Sequence, residues 1–446
     1  MEPDHVTKGP AGAGSNLRFM LRALRHRNFR LYFAGQGVSL IGTWIQQTAM
    51  GWLVYRLTNS PFLLGVVGFT GMAPALLFTP WAGVLADRFD RRKLLILTQL
   101  LAMVQALALG VLALTGVVAF WQIVPLSLFV GIVNALDAPT RQAFVLDLVE
   151  RREDLANAIA LNSSMFNGAR LIGPSIAGLL IAATGEGLCF VINGLSFLAV
   201  VVALLAMRVR PGRRAPRGES ILRGLVDGVR YAARTEPIRA IVLYLSIVSL
   251  VGMPYPVLLP IFARDVLHGG PHTLGFLMGS AGIGALLGAL TLAGRKTVVG
   301  LGRWIVRATC AFGAGLVGVA LSRMAWLSYG LMVVAGFGMM VTMASCNTMI
   351  QTIADDDKRG RVMSLYTMAF MGMVPLGSLL AGAVASRLGA PTTLAAGGGC
   401  CILLAIASHS HLPRLRKVIQ PIYIRLGLDA QVSALVPTGG RPVEGR

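Results

Sequence analysis

Long apolar runs, separated by short polar or basic connections, dominate the chain from residue 31 to residue 408. Twelve lie close to the ~20 residues needed to cross the hydrocarbon of a bilayer as a helix. They fall at 31–55, 62–86, 94–114, 120–143, 158–183, 188–207, 241–262, 274–292, 304–321, 326–350, 362–386 and 392–408. The pattern predicts an all-α integral membrane protein with twelve transmembrane helices. Because hydrocarbon offers no partners to polar groups, each polar residue inside a run carries information.

The connections alternate in charge. Arg18, Arg22, Arg25, Arg27 and Arg30 precede the first run, Arg88 to Lys93 follow the second, and Arg151 and Arg152 follow the fourth. On the same side lie the basic stretch 208–239, then Arg295, Lys296, Arg303, Lys358, Arg359 and Arg361, and finally Arg414, Arg416 and Lys417. The opposite connections hold little more than Arg56, Glu186, Arg264, Asp265, Arg323 and Arg387, with Trp121 and Trp326 as interfacial anchors. Lys and Arg accumulate on the cytoplasmic side of short loops, so both termini are expected in the cytoplasm.

An internal repeat divides the chain. Val38-Ser39-Leu40-Ile41-Gly42 recurs as Val248-Ser249-Leu250-Val251-Gly252, 210 residues later, and Pro61, Leu64 and Gly65 match Pro271, Leu274 and Gly275 in the same register. Two six-helix halves follow, 31–207 and 240–409, flanked by cytoplasmic segments 1–30 and 410–446 and joined by a cytoplasmic linker, 208–239. Within the linker, 208–219 reads as a solvated tether, whereas 221–234 either continues it or lies as an amphipathic helix on the membrane surface. Residues before Asn16 and after Asp429 read as disordered tails.

Composition narrows the function classes. Hydrophobic residues make up 55% of the chain, charged residues 13%, and mean hydropathy is +0.69. A soluble domain carries about 25% charge. The net charge of +21 sits between the apolar runs rather than on a solvated face, so it is read as an orientation signal and not a nucleic-acid surface. Cys189, Cys310, Cys346, Cys400 and Cys401 fall inside spans, which predicts neither a disulfide framework nor a metal site. No GxxxxGK[ST] loop occurs, so neither a nucleotide nor any other cofactor is expected. The first span is expected to act as the membrane address in place of a cleaved signal.

Arg170 is the strongest candidate for a functional charge, lying roughly mid-membrane in the fifth span, where it would meet an anionic substrate group or a coupling carboxylate. Asp137 and Arg141 are one turn apart near the cytoplasmic end of the fourth span and can pair, which suits a gate. For a cavity lining we select Gln36, Trp44, Gln47, Asn162, Asn167, Arg170, Tyr255, Asn347 and Tyr366, each of which has an interhelical hydrogen bond or packing contact as its alternative role. Met363, Met368, Met371 and Met373 would add an adaptable surface. No carboxylate falls at the middle of a span; Asp137 and Asp265 are the nearest proton carriers.

The stretch from Gly83 to Lys93 resembles the loop between the second and third helices of the major facilitator superfamily, through Gly83, Asp87, Arg88, Arg91, Arg92 and Lys93. Asp90 stands where that pattern has glycine, so a tight turn is expected on a residue that merely tolerates it. Ala169, Gly173, Pro174, Ala177 and Gly178 resemble the fifth-helix pattern of antiporters in the same superfamily. Trp44, Gln46 and Gln47, with residues 135–142, 155–162, 259–267 and 359–370, look like the bacterial branch that contains the enterobactin exporter. The resemblance implies a gating role for the Gly83 loop and two halves rocking around a central site. It also implies export of a small siderophore-like or drug-like molecule across the bacterial inner membrane, proton exchange, and no enzymatic chemistry. A monomer contacting membrane lipids, with a small-molecule substrate and a coupling proton, is the expectation. A lipid or lysophospholipid transporter on the same fold is the alternative; a membrane-embedded enzyme would need clustered His, Asp or Glu within the spans, and a non-transporting sensor stays open.

Overall fold

The computed structural model describes residues 21–149, 151–208, 221–295, 297–355 and 358–425. Among these residues the only regular structure is helical. After a 3-10 turn at Arg22–Arg25 come α1 (Arg27–Thr58), α2 (Pro61–Arg88), α3 (Arg91–Leu114), α4 (Phe120–Asp147), α5 (Arg152–Thr184) and α6 (Glu186–Ala206). The short α7 (Ile221–Arg234) leads into α8 (Glu236–Val251), α9 (Tyr255–Ile261) and a π turn at Phe262–Val266. The chain ends with α10 (Pro271–Ala293), α11 (Leu301–Leu321), α12 (Ala325–Ile353), α13 (Arg359–Met371), α14 (Met373–Leu388) and α15 (Ala390–Arg425).

Among the described residues, eleven helical stretches are long and apolar enough to cross a membrane. α1 is longer than most of them yet falls outside that set, because Gln36, Gln46 and Gln47 lower its hydropathy. Its polarity is tolerated because protein, not lipid, surrounds it. Gln46 donates to Gln105 of α3 at 3.1 Å and accepts from Asn193 of α6 at 2.7 Å, a buried amide ladder that ties α1 to both neighbours.

Two expected spans are broken. Pro254 lacks the N–H that would bond the Leu250 carbonyl, so the helix begun at Glu236 stops at Gly252 and resumes as α9. The other side of that carbonyl is covered by Gly377 of α14, where a Cβ would lie 2.2 Å from the Leu250 oxygen. Only a glycine fits. Likewise 362–386 divides at Gly372, three residues before Pro375. In the linker one of the two open alternatives forms, and the last helix outruns its expected span. Residues 221–234 do form a helix, packed against α13 and α8, and α15 runs on to Arg425, well past residue 409, where a tail was expected to begin. The linker 209–220 and both outer tails lie outside the described residues.

Packing sorts the helices. α1 contacts α5 and α6, α3 contacts α4 and α6, and α2 lies along α4; after residue 220, α11 contacts α12 and α15, and α10 lies along α12. The two sets meet extensively along two seams, α5 with α10 and α2 with α14. Both seams are glycine-lined: a Cβ on Gly275 would sit 2.5 Å from the Pro174 oxygen and 2.9 Å from the Gly178 Cα, and one on Gly65 would sit 2.6 Å from the Ser378 oxygen. Backbones meet here without intervening side chains, as small residues permit in membrane helices.

Candidate functional site

The basic connections gather at one end of the bundle. There Asp90, in extended geometry (φ −64°), caps α3 by accepting from the Lys93 N–H at 3.1 Å. The turn expected here is made by Phe89 and Asp90 between the two helices, and Asp90 tolerates it without left-handed backbone because aspartate is among the best N-cap residues. Arg91 pairs with Asp147 at 2.9 Å, and Arg92 donates to the Leu205 carbonyl at 2.9 Å, fastening the start of α3 to α4 and α6. Arg88 is exposed. The side chains of Gly83 and Asp87 lie outside the described residues.

Asp137 is 5% exposed and accepts from Thr98 at 2.9 Å and Gln99 at 2.8 Å, with the Arg141 guanidinium 3.3 Å away. The pair anticipated from the sequence is therefore present and supplemented by two α3 donors. At the same end, Asp154 holds Arg22 and His26, Asp227 holds Arg361, and Glu236 holds Arg414. Among the described residues every ion pair at this end joins partners both before residue 208 or both after residue 220.

Midway along α5, Arg170 lies over the Trp44 ring at 5.8 Å and 3.5 Å from the Met339 sulfur, so it touches α1 and reaches α12. Neither partner is acidic. Phe166 stands edge-on to Trp44 at 6.0 Å. Gln47 and Phe166 are exposed, and Asn167 donates to Ser163 of its own helix. A guanidinium, an indole face and a thioether thus meet where the two helix sets face one another, with a phenyl ring beside the indole. Such a surface suits a planar, amphipathic, anionic ligand.

Beyond Arg170, toward the arginine-poor end, the two helix sets stay in contact. Thr48 contacts the Met278 sulfur at 3.6 Å, and a Cβ on Gly51 would lie 3.4 Å from Pro260. At the end itself Tyr55 donates to Asp265, and Arg264 donates to Asn59 at 2.7 Å while lying over the Tyr55 ring. Arg56 grips Glu186 with two hydrogen bonds, 2.8 and 3.2 Å. Among the described residues the hydrogen bonds between the two helix sets lie at Arg170 or nearer the arginine-poor end, and are therefore gathered toward that end.

The predicted lining divides accordingly. Trp44 and Arg170 are in contact, Gln47 is exposed, and Asn162 accepts from Tyr32 at 3.3 Å nearer the arginine-rich end. Asn347 accepts from Gln351 one turn along α12. Gln36 is buried, Tyr255 is buried against Phe312, and Tyr366 donates to the Met343 carbonyl at 3.1 Å, so these three serve packing here. Gly173 and Pro174 act as spacers: a Cβ on Gly173 would lie 2.5 Å from the Trp44 Cβ, and the Pro174 carbonyl touches Gly275. The sequence reading left Tyr55, Asn59, Phe166 and Met339 unassigned. The four-residue spacing from Tyr55 to Asn59, with Arg264-Asp265 at the matching repeat position, was the available signal.

A helical membrane bundle with a guanidinium where two helix sets face one another and two glycine seams is the architecture of a transporter. Solved structures agree on the fold: a bacterial homolog of the human lysosomal transporter Spinster, inward-facing and unoccupied, aligns with TM-score 0.61 at 16% identity over 89% of this chain and 95% of its own. A POT family transporter aligns with TM-score 0.71 at 13% identity over 87% and 96%. Residues 20–422 match the transmembrane secretion effector family, and the chain belongs to that family of major facilitator transporters. It is similar to the staphyloferrin A transporter of Staphylococcus aureus (26% identity, covering 79% of this chain and 88% of that protein). It is similar also to a multidrug efflux pump of Mycolicibacterium fortuitum (26%, 86% and 94%) and to the enterobactin exporter of Escherichia coli (26%, 89% and 94%). The protein is a multi-pass transporter of small molecules in the bacterial inner membrane, not an enzyme.

Proposed function

We propose that the chain exports a small amphipathic molecule, siderophore-like or drug-like, by alternating access. In this reading two six-helix bundles, 31–207 and 240–409, rock about the Arg170 site, α1 serves as the twelfth span, and both termini face the cytoplasm. The arginine-poor end is then periplasmic and sealed, and the conformation is the one that loads substrate from the cytoplasm.

The observation that carries the reading is the setting of Arg170, mid-membrane between bundles, with an aromatic face and a thioether but no acid among its described partners. A guanidinium left in such a site is costly unless a ligand supplies the anion. The names of the relatives supply the substrate class. Proton antiport is proposed from the family resemblance. Of the two candidate carboxylates, Asp265 touches both bundles through Tyr55, whereas Asp137 touches only its own.

The test is transport in proteoliposomes under an imposed pH gradient, comparing wild type with Arg170→Ala for a catecholate siderophore and a lipophilic cationic drug. Loss of a charge-assisted hydrogen bond, about 1.5–3 kcal/mol, predicts roughly 10- to 150-fold weaker handling of the anionic ligand. The cationic drug should be far less affected. Release of neither ligand by folded wild-type protein would overturn the proposal and move the reading to lipid substrates.

A further inference from the structure

Away from Arg170, the arginine-rich ends of α8, α11 and α15 enclose a cavity of about 430 Å³. No residue of α1–α6 lines it, so it is no part of the seam between bundles. Its depth is apolar, built from Ile305, Val306, Met349, Leu412, Ile419 and Tyr423. Its mouth is cationic. Arg239, Arg303 and Arg414 line it together with His411 and a single carboxylate, Glu236, which Arg414 occupies at 3.0 Å. Arg239 and Arg303 are both exposed, and Arg239 donates to the Ala233 carbonyl at 2.8 Å.

Two further features point to an amphiphile with an anionic head. α11 begins beside the arginines after Gly300, in left-handed geometry (φ +85°); its Leu301 and Arg303 amides donate to the Val298 and Gly300 carbonyls, so it adds the positive end of its dipole rather than free donors. Leu243, which lines the cavity, is 56% exposed, and Leu403 and Ile406 on α15 are 67% and 59% exposed, so the opening is flanked by surface suited to hydrocarbon. A soluble anion would use the mouth and leave the depth empty. A double-chain amphiphile would fill both.

We propose that this cavity holds an anionic phospholipid of the cytoplasmic leaflet, its phosphate between Arg239, Arg303 and the start of α11, its acyl chains along Ile305 and Ile419. Basic pockets between helices at the cytoplasmic surface recognise anionic headgroups in this way. The assignment rests on the orientation proposed above but not on any transported substrate. The occupant wedges α15 against α8 and α11, and as a ligand of the folded state it stabilises that packing by mass action.

The experiment is native mass spectrometry of the full chain in detergent doped with phosphatidylglycerol or phosphatidylcholine, with thermal unfolding read in parallel. Wild type should retain phosphatidylglycerol preferentially and unfold at a higher temperature in its presence. Each of Arg239→Gln and Arg303→Gln should weaken retention about fivefold, as one basic residue near an anionic lipid surface is worth. Ala240→Trp, which fills the cavity and keeps both arginines, should abolish it, and Arg387→Gln at the opposite end should change nothing. Equal retention of both lipids, undiminished retention in the Arg239→Gln/Arg303→Gln protein, or displacement by soluble glycerol phosphate as effective as by lipid would each overturn the proposal. Failure here with intact transport leaves the Arg170 reading standing, and the reverse holds too.

Discussion

Gly275→Val tests whether the α5–α10 seam holds the arginine-poor end shut. A Cβ at position 275 would lie 2.5 Å from the Pro174 oxygen, 2.9 Å from the Gly178 Cα and 3.1 Å from the Gly178 nitrogen. All three are backbone atoms, which cannot rotate aside as a side chain could. Restoring ordinary carbon contact of about 3.5 Å requires the two helices to part by roughly 1 Å at this point. Overpacking of a fitted interface costs about 1–3 kcal/mol, so the sealed conformation should lose ground to any conformation that separates the seam by about 5- to 150-fold. The assay is labelling by a membrane-impermeant thiol reagent, applied from the arginine-poor side, of a cysteine placed at Thr48 in a cysteine-free background. Thr48 is 1% exposed and lies beneath the seal. Labelling should accelerate in the Gly275→Val protein and stay at the parental rate with Gly168→Ala, because a Cβ at Gly168 on α5 meets nothing within 4 Å. Unchanged labelling in folded Gly275→Val protein would refute the claim that this seam is the closing contact.

The same labelling should rise on Tyr55→Phe, which deletes the hydroxyl bonded to Asp265 while keeping the ring under Arg264; with Asp265 half-exposed, about 1 kcal/mol or fivefold is expected. Asp137→Ala should lower thermal stability by about 1–3 kcal/mol, since it removes the acceptor of the buried Gln99 amide and the partner of the partly exposed Arg141 while Thr98 keeps the Leu95 carbonyl, whereas Asp137→Asn keeps an acceptor and should lose distinctly less. Equal losses would show that the charge is the main term. Asp90→Ala should destabilise the start of α3 by about 1 kcal/mol, visible as faster amide exchange in its first turn, with Asp90→Asn close to wild type.

Much of the architecture was legible because membrane helices announce themselves by length and hydropathy; the two helix breaks were not read, although Pro254 and Pro375 lie beside them. Arg170 was legible for the same reason: a charge in the middle of an apolar run has few explanations. Gln36, Tyr255 and Tyr366 had two roles open from sequence. All three are buried in this conformation, and Tyr366 reaches a carbonyl of a neighbouring helix, because a polar side chain in a membrane helix finds partners in neighbouring helices as readily as in a cavity. At Asp90 the turn was anticipated, but not that the residue in place of glycine would also cap the next helix.

What the sequence by itself determined is the membrane class, the repeat, the distribution of positive charge and the short list of charges within the spans, since hydropathy and charge act locally and are read residue by residue. Which residues face one another was decided only in three dimensions. These helices are apolar nearly all round, so periodicity does not reveal a face, and a glycine reads alike whether it meets lipid or a backbone 2.5 Å away. The partners of Tyr55, the setting of Arg170 and the bonds at the arginine-poor end all depend on contacts between segments far apart in the chain, which only the packed bundle brings together.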